Sequence, residues 1–296
     1  MQQKILSIIL LQLCLSSCSF HSVGEKHKAK TYPSLSVNKD GYHFKWPDIT
    51  LTLPLTLSEI SGLSYNPSNN TLLAVNDEQG LLYEIEPSSG KVLGKEKFGP
   101  SGDYEGIEKV DNNNFIINSS GILYRFSNEE TESIHTPLSS KNDVEGLSYD
   151  VMNKELLIAC KAKSLNNDPK GTKGIYAYSI EDKVFKKEPY LLLRIKGIKK
   201  FIKKNGGGDK ALKRADDFSP SGIAIHPFTR NLYLLSARES MMLIFSQEHK
   251  LIECVLLDKD KIPQPEGICF DSKGNLFIST EGQGRNGKIF IYKPTP

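Results

Sequence analysis

Three glutamates recur at one position of a repeated phrase. Glu105, Glu145 and Glu266 each precede a glycine and an aliphatic residue, in Asp103-Tyr104-Glu105-Gly106-Ile107, Asp143-Val144-Glu145-Gly146-Leu147 and Gln264-Pro265-Glu266-Gly267-Ile268. Two further copies, Glu59-Ile60-Ser61-Gly62-Leu63 and Ser219-Pro220-Ser221-Gly222-Ile223, carry a serine there. If the repeats are set around an axis, equivalent positions form a ring about it. Carboxylates brought together on an axis repel one another until a cation neutralises them. Calcium accepts flexible, all-oxygen coordination of that kind. The pattern therefore predicts a calcium site at Glu105, Glu145 and Glu266. Ser61 and Ser221 are candidates for additional channel ligands, and their hydroxyls, backbone carbonyls and water could complete the shell. Asp103 and Asp143, two residues earlier, would order the surrounding loops or support the ligands. The competing reading has each glutamate capping backbone amides within its own unit, with no metal.

Nothing comparable marks a catalytic residue. The six histidines (His21, His27, His43, His135, His226 and His249) do not repeat at the ring position. No Gly-x-Ser-x-Gly elbow, His-Glu-x-x-His pair or phosphate-cradling loop occurs. Gly206-Gly207-Gly208 lacks the flanking strand and Lys-Ser/Thr pair of a phosphate loop, and reads as a joint.

The elements that must position the ring follow from the same repeat. After each anchor glycine a second apolar run opens nine or ten residues later, at Leu72, Phe115, Leu156, Leu232 and Leu276. A third follows, as in Leu81-Leu82-Tyr83 and Ile289-Phe290-Ile291-Tyr292. Turn-forming stretches such as Asn66-Pro67-Ser68-Asn69 separate them. Each unit is thus an antiparallel meander of four strands. A period of about 40 residues is that of a propeller, in which radial stacking buries the apolar sheet faces. The expectation is an all-β, five-bladed propeller over residues 41–296. The last unit stops after its third strand, so the N-terminal Gly41–Trp46, or failing that Ile49–Leu53, should supply the fourth and close the ring. The anchor glycines would let neighbouring inner strands crowd together.

The anchor spacings are 44, 40, 76 and 45 residues. The long gap holds a basic, partly helical insertion at 196–217, read as a solvated surface loop or, alternatively, a lid or a contact for an anionic partner. A sixth blade would need more chain than this.

Lys4 and the apolar run Ile5–Leu15 form a signal peptide over residues 1–17, too short to span a bilayer. The following Leu15-Ser16-Ser17-Cys18 resembles a bacterial lipobox, making Cys18 the lipidated first residue of the mature chain. Plain secretion is the alternative, and Cys14 fits less well because Leu11-Gln12-Leu13 lacks the small residues. Residues 18–40 then read as a polar tether. Cys160, Cys254 and Cys269 show no metal or redox spacing and suit buried strand positions.

Hydrophobic residues make up 38% and charged residues 25% of the chain, as in soluble globular domains. A net charge of +3, without a nucleic-acid-binding motif, argues against a nucleic-acid partner.

With these anchors in hand, the chain resembles the SdiA-regulated domain family of bacterial envelope proteins, distant relatives of NHL-repeat propellers. The stretches that carry the likeness are the Glu-Gly-Ile/Leu anchors, Ser219-Pro220-Ser221-Gly222-Ile223, and Gly274-Asn275-Leu276-Phe277-Ile278. The resemblance spans about residues 40–293 and implies a five-bladed propeller with a calcium site. Ser61 and Ser221 depart from the Glu-Gly pattern. The expected function is a lipid-anchored, calcium-binding module of the cell envelope, on the outer membrane or cell surface, that binds a small molecule, glycan or protein. The alternatives are a calcium-dependent hydrolase of the lactonase or phosphoesterase kind, and a structural spacer.

Overall fold

The computed structural model describes residues 38–295 apart from 166–168 and 170. The signal peptide, Cys18 and nearly all of the expected tether lie outside the described residues. Its first three residues inside them, Asn38–Asp40, are already tied into the fold. Asn38 Nδ2 donates to the Tyr233 hydroxyl (3.2 Å), and Tyr233 Oη donates to Asp40 Oδ2 (2.6 Å).

Five four-stranded antiparallel sheets make the propeller. Strand β1 (Ile49–Thr52) precedes blade 1, which holds β2 (Ile60–Asn66), β3 (Thr71–Asn76), β4 (Leu81–Ile85) and β5 (Val92–Lys97). Blade 2 holds β6 (Tyr104–Val110), β7 (Asn113–Asn118), β8 (Ile122–Ser127) and β9 (Glu130–His135). Blade 3 holds β10 (Val144–Asp150), β11 (Glu155–Cys160), β12 (Thr172–Ser179) and β13 (Val184–Arg194). Blade 4 holds β14 (Gly222–Ile225), β15 (Leu232–Ser236), β16 (Met241–Phe245) and β17 (Leu251–Leu256). Blade 5 holds β18 (Pro265–Phe270), β19 (Leu276–Thr280) and β20 (Lys288–Tyr292), with β1 as its fourth strand.

Closure corrects the first expectation. Ile49 to Thr52, not Gly41–Trp46, pair with Ile291 to Lys288. The chain explains why. Gly41 sits at φ +90° and Pro47 follows Trp46, so neither end of that stretch suits a regular ladder. Its aromatics pack instead. Tyr42 and Phe44 are buried with Tyr233, Phe270 and Tyr292 between blades 4 and 5. The Nδ1 of His226 accepts the amides of Phe228 and Thr229, so Nε2 carries the proton and donates to Tyr42 Oη (3.0 Å). That hydroxyl in turn donates to the Gly274 carbonyl. A strap of chain is thereby fixed across the blade 4–blade 5 seam before the closing strand begins.

The insertion forms two helices, α1 (Ile195–Lys204) and α2 (Asp209–Asp216). Their apolar faces join the core between blades 3 and 4 through Ile198, Ile202, Ala211 and Ala215. Buried Arg214 donates from Nη1 to the Ser240 and Leu257 carbonyls, both at 2.9 Å. The insertion is thus a packed buttress with an exposed basic side, rather than a solvated loop. Cys160 and Cys269 are buried and Cys254 half-buried, all three as free thiols on strands.

Candidate functional site

The inner strands of all five blades face one channel, and each brings its anchor to the same end. In β2, β6, β10 and β18 the ladder register shifts at the anchor, between Ile60/Gly62, Tyr104/Gly106, Val144/Gly146 and Pro265/Ile268. Ser61, Glu105, Glu145 and Glu266 occupy these bulges. A bulge leaves its extra residue out of the ladder and re-aims its side chain. The glycine that follows has a separate task. A Cβ on Gly62 would meet the Ile107 amide at 2.9 Å, on Gly106 Leu147 Cβ at 2.9 Å, and on Gly222 the Glu266 carbonyl at 2.4 Å. Each anchor glycine admits the next blade's inner strand, so the ring can be narrow.

Glu105, Glu145, Glu266, Ser61 and Ser221 all line one cavity of about 10 Å³, room for the centre of about one water-sized occupant. The two serines tie blades together: Ser61 Oγ donates to the Tyr104 carbonyl (2.6 Å), and Ser221 Oγ to the Pro265 carbonyl (2.9 Å). The Glu145 carboxylate accepts from Lys161 Nζ at 2.6 Å. Among the described residues no hydrogen-bond donor satisfies Glu105 or Glu266. Among the described residues, then, no amide caps either carboxylate.

The electrostatics follow. Burial, then the charges of Glu145, Asp103 and Glu266, push the Glu105 carboxyl far above the usual carboxylate range. Burial raises Glu266 likewise, reinforced by Glu145, Glu281 and Asp77. Burial also raises Glu145, and the Lys161 ammonium pulls it part of the way back.

Lys161, Asp77 and Glu281 belong to a second tier that reading the sequence missed. Each is the first residue after the second strand of its blade, and the matching residues elsewhere are Ser119 and Ala237. The same backbone bond fixes four of them, from the amides of Asp77, Ser119, Lys161 and Glu281 to the carbonyls of Glu59, Asp103, Asp143 and Gln264. The one available signal was a constant place after the second apolar run, with no recurring residue type. Burial and the charges of Glu78, Glu59 and Asp103 push Asp77 up to about 6. Burial and the charges of Glu59 and Asp77 push Glu281 up to about 7. The Asp77 Oδ1 atom is buried with no partner among the described residues.

The donor set fits a hard cation in its chemistry: carboxylate oxygens, a cavity for one occupant, an orphaned acidic oxygen and strong mutual repulsion. Its present arrangement is not that of a closed shell. Among the described residues no three His, Cys, Asp or Glu side chains are grouped as metal ligands, and Lys161 engages Glu145.

A closed ring of five such blades, three of them with an acidic residue in the bulge at one end, defines a small five-bladed β-propeller. A family profile described as SdiA-regulated matches residues 35–283, and the chain belongs to that family. Among solved structures, it resembles a glutaminyl cyclase from Myxococcus xanthus, with 12% identity, coverage of 83% of this chain and 94% of the other, and a TM-score of 0.55. It also resembles a PQQ-bound aldose sugar dehydrogenase from Streptomyces coelicolor, with 11% identity, coverage of 83% and 97%, and a TM-score of 0.51. At such identities these likenesses speak to the fold.

Proposed function

We propose that this chain is a lipid-anchored, calcium-binding propeller of the bacterial cell envelope, which binds a small molecule, glycan or protein at the acidic end of its channel. One observation carries the reading: bulges in three separate blades aim Glu105, Glu145 and Glu266 into a single cavity where their charges oppose one another. A fold that needed only structure would gain by losing such charges, because crowded carboxylates shielded from water, two of them without a donor, are costly. A divalent cation turns that cost into binding. Glu105, Glu145 and Glu266 would hold it, with Ser61, Ser221, Asp77 and Glu281 around them. When bound, calcium supplies a positive centre for an oxygen-rich ligand. The ring residues orient the approach, while Lys161 keeps Glu145 paired when no cation is bound.

The anchor rests on Lys4, the apolar run to Leu15 and Leu15-Ser16-Ser17-Cys18. Among the described residues no helix is long and apolar enough to cross a membrane. Thermal melts with chelator and with added calcium test the site. Calcium should raise the melting temperature of the wild type, since a ligand of the native state stabilises it by mass action. In Glu145→Gln the rise should shrink. A melting temperature indifferent to both reagents contradicts the calcium reading. Separately, Cys18→Ala should release the protein from membranes on fractionation, and continued membrane association contradicts the anchor.

A further inference from the structure

The geometry points to the end of the propeller opposite the carboxylate ring as a face that rests on the lipid bilayer, with Met152 and Phe228 entering its interfacial layer. Four of the exposed large apolar residues gather there on two adjacent blades. In blade 3 the register Asp150–Glu155–Ser179–Val184 marks one edge of the sheet. Val151 and Met152 form the turn between Asp150 and Glu155, and Val184 lies on the same edge. Met152 is 76% exposed, and Val151 and Val184 are exposed as well. In blade 4 the matching turn between Ile225 and Leu232 carries Phe228, 65% exposed.

The two turns are held as one surface. Arg230 Nη2 reaches across to Asp150 Oδ1 at 2.5 Å, and both side chains are largely shielded. The Phe228 ring lies over Gly274 of blade 5, where an added Cβ would meet its Cε2 at 3.0 Å. These apolar tips are therefore presented by ordered turns, which matters because a loose tip would give up contact as readily as it made it.

The chain enters the fold at this face, and that entry indicates what covers it. Asn38 and Phe228 line the same hollow of about 490 Å³. Asn231 Nδ2 donates to both oxygens of Asp40 at 3.0 Å, fixing the entering chain against the blade 4 turn. Cys18 is only 20 residues before Asn38, a contour of at most about 70 Å. This step rests on the lipid-anchor reading: a lipid on Cys18 tethers the propeller through Asn38, beside Phe228, so the tether favours this end meeting the bilayer, and the apolar tips then hold it there with the carboxylate ring open to solutes. Each apolar contact is small, so the face binds weakly alone and orients the propeller once it is tethered.

The test makes the anchor chemically, so that its result does not depend on whether cells lipidate Cys18. Residues 38–295 close a complete ring, so a chain starting at Cys18 carries the whole fold. In a background of Trp46→Phe and Cys254→Ala, this chain is coupled through Cys18 to maleimide lipid. The vesicles are phosphatidylcholine and phosphatidylglycerol with brominated acyl chains. Single tryptophans are placed by Met152→Trp, Phe228→Trp and, near the ring end, Leu55→Trp. The proposal expects bromine to quench the first two at least about twofold more than the third. Phe228→Asp should relieve quenching of Met152→Trp. Equal quenching at all three sites, or none, overturns it. So does a concentration-dependent dimer, seen by sedimentation without lipid, that Met152→Asp with Phe228→Asp dissociates while quenching stays absent. Failure of the Cys18→Ala fractionation would reject the cellular anchor and leave this measurement standing.

Discussion

Lys161 sits where a bound cation would compete. Its ammonium is half-exposed while its partner Glu145 is buried, so solvent screening discounts the pair. Lys161→Met should cost the calcium-free protein about 1–2 kcal/mol, less than a fully buried pair, because it leaves Glu145 unpaired. The same change removes a competing positive charge from the cavity. Calcium should therefore stabilise Lys161→Met more than it stabilises the wild type, as urea melts with and without calcium would show. Equal calcium responses would mean that Lys161 does not meet the cation.

Acidity works at the same scale. Asp77 at about 6 and Glu281 at about 7 are raised by burial and neighbouring charge, and Glu253 is raised to about 7 by burial and Asp40. A carboxylate whose pKa is higher in the fold stabilises it fully below the unfolded value, and that contribution is lost as pH climbs through the folded one. His226 is lowered by burial, so its cost appears only at more acidic pH. With chelator present, the melting temperature should fall between pH 6.5 and 8. Calcium, which needs ionised ligands, should restore more at pH 8 than at pH 6.5. A chelated protein that gains stability across that window would contradict the assigned burial of these acids.

At the scale of elements, the glycine anchors make the clearest claim. A Cβ at Gly267 would lie 2.5 Å from Ser279 Oγ and 2.7 Å from Leu63 Cβ. Gly267→Ala should cost about 1–3 kcal/mol by overpacking the blade 5–blade 1 seam. Gly94, on an outer strand with nothing near its Cβ position, is the control. Gly94→Ala should stay within about 0.5 kcal/mol of wild type, and chemical denaturation distinguishes the two.

This seam also shows what the sequence could carry. The Glu/Ser-Gly-aliphatic repeat announces five inner strands and the residue each turns inward, because both are written at fixed positions. The bulge that turns it is a mismatch with a partner strand, and no single strand records that. Lys161 stayed hidden because its tier is Asp77, Ser119, Lys161, Ala237 and Glu281, a constant position without a constant chemistry. The aromatic stretch around Tyr42 and Phe44 reads as a strand by composition. Gly41, Pro47 and a buried pocket for the two rings send it elsewhere, and the alternating Ile49-Thr50-Leu51-Thr52 takes the ladder.

For the whole molecule, that ladder joins the two ends of the chain. Removing residues through Thr52 should leave β20 as an unpaired edge and expose the blade 5–blade 1 seam. The single cooperative melting transition should broaden or vanish. A deletion that melts as sharply as the intact protein would contradict closure by β1.

The ring at the channel end is the centre of the account, and direct calorimetric titration of calcium tests it most plainly. At pH 8 the wild type should bind one calcium per chain. Glu105→Gln with Glu266→Gln keeps the shape and removes two of the three charges, so binding should weaken at least about 100-fold. No binding heat in the wild type, or undiminished binding in that folded double variant, would contradict it.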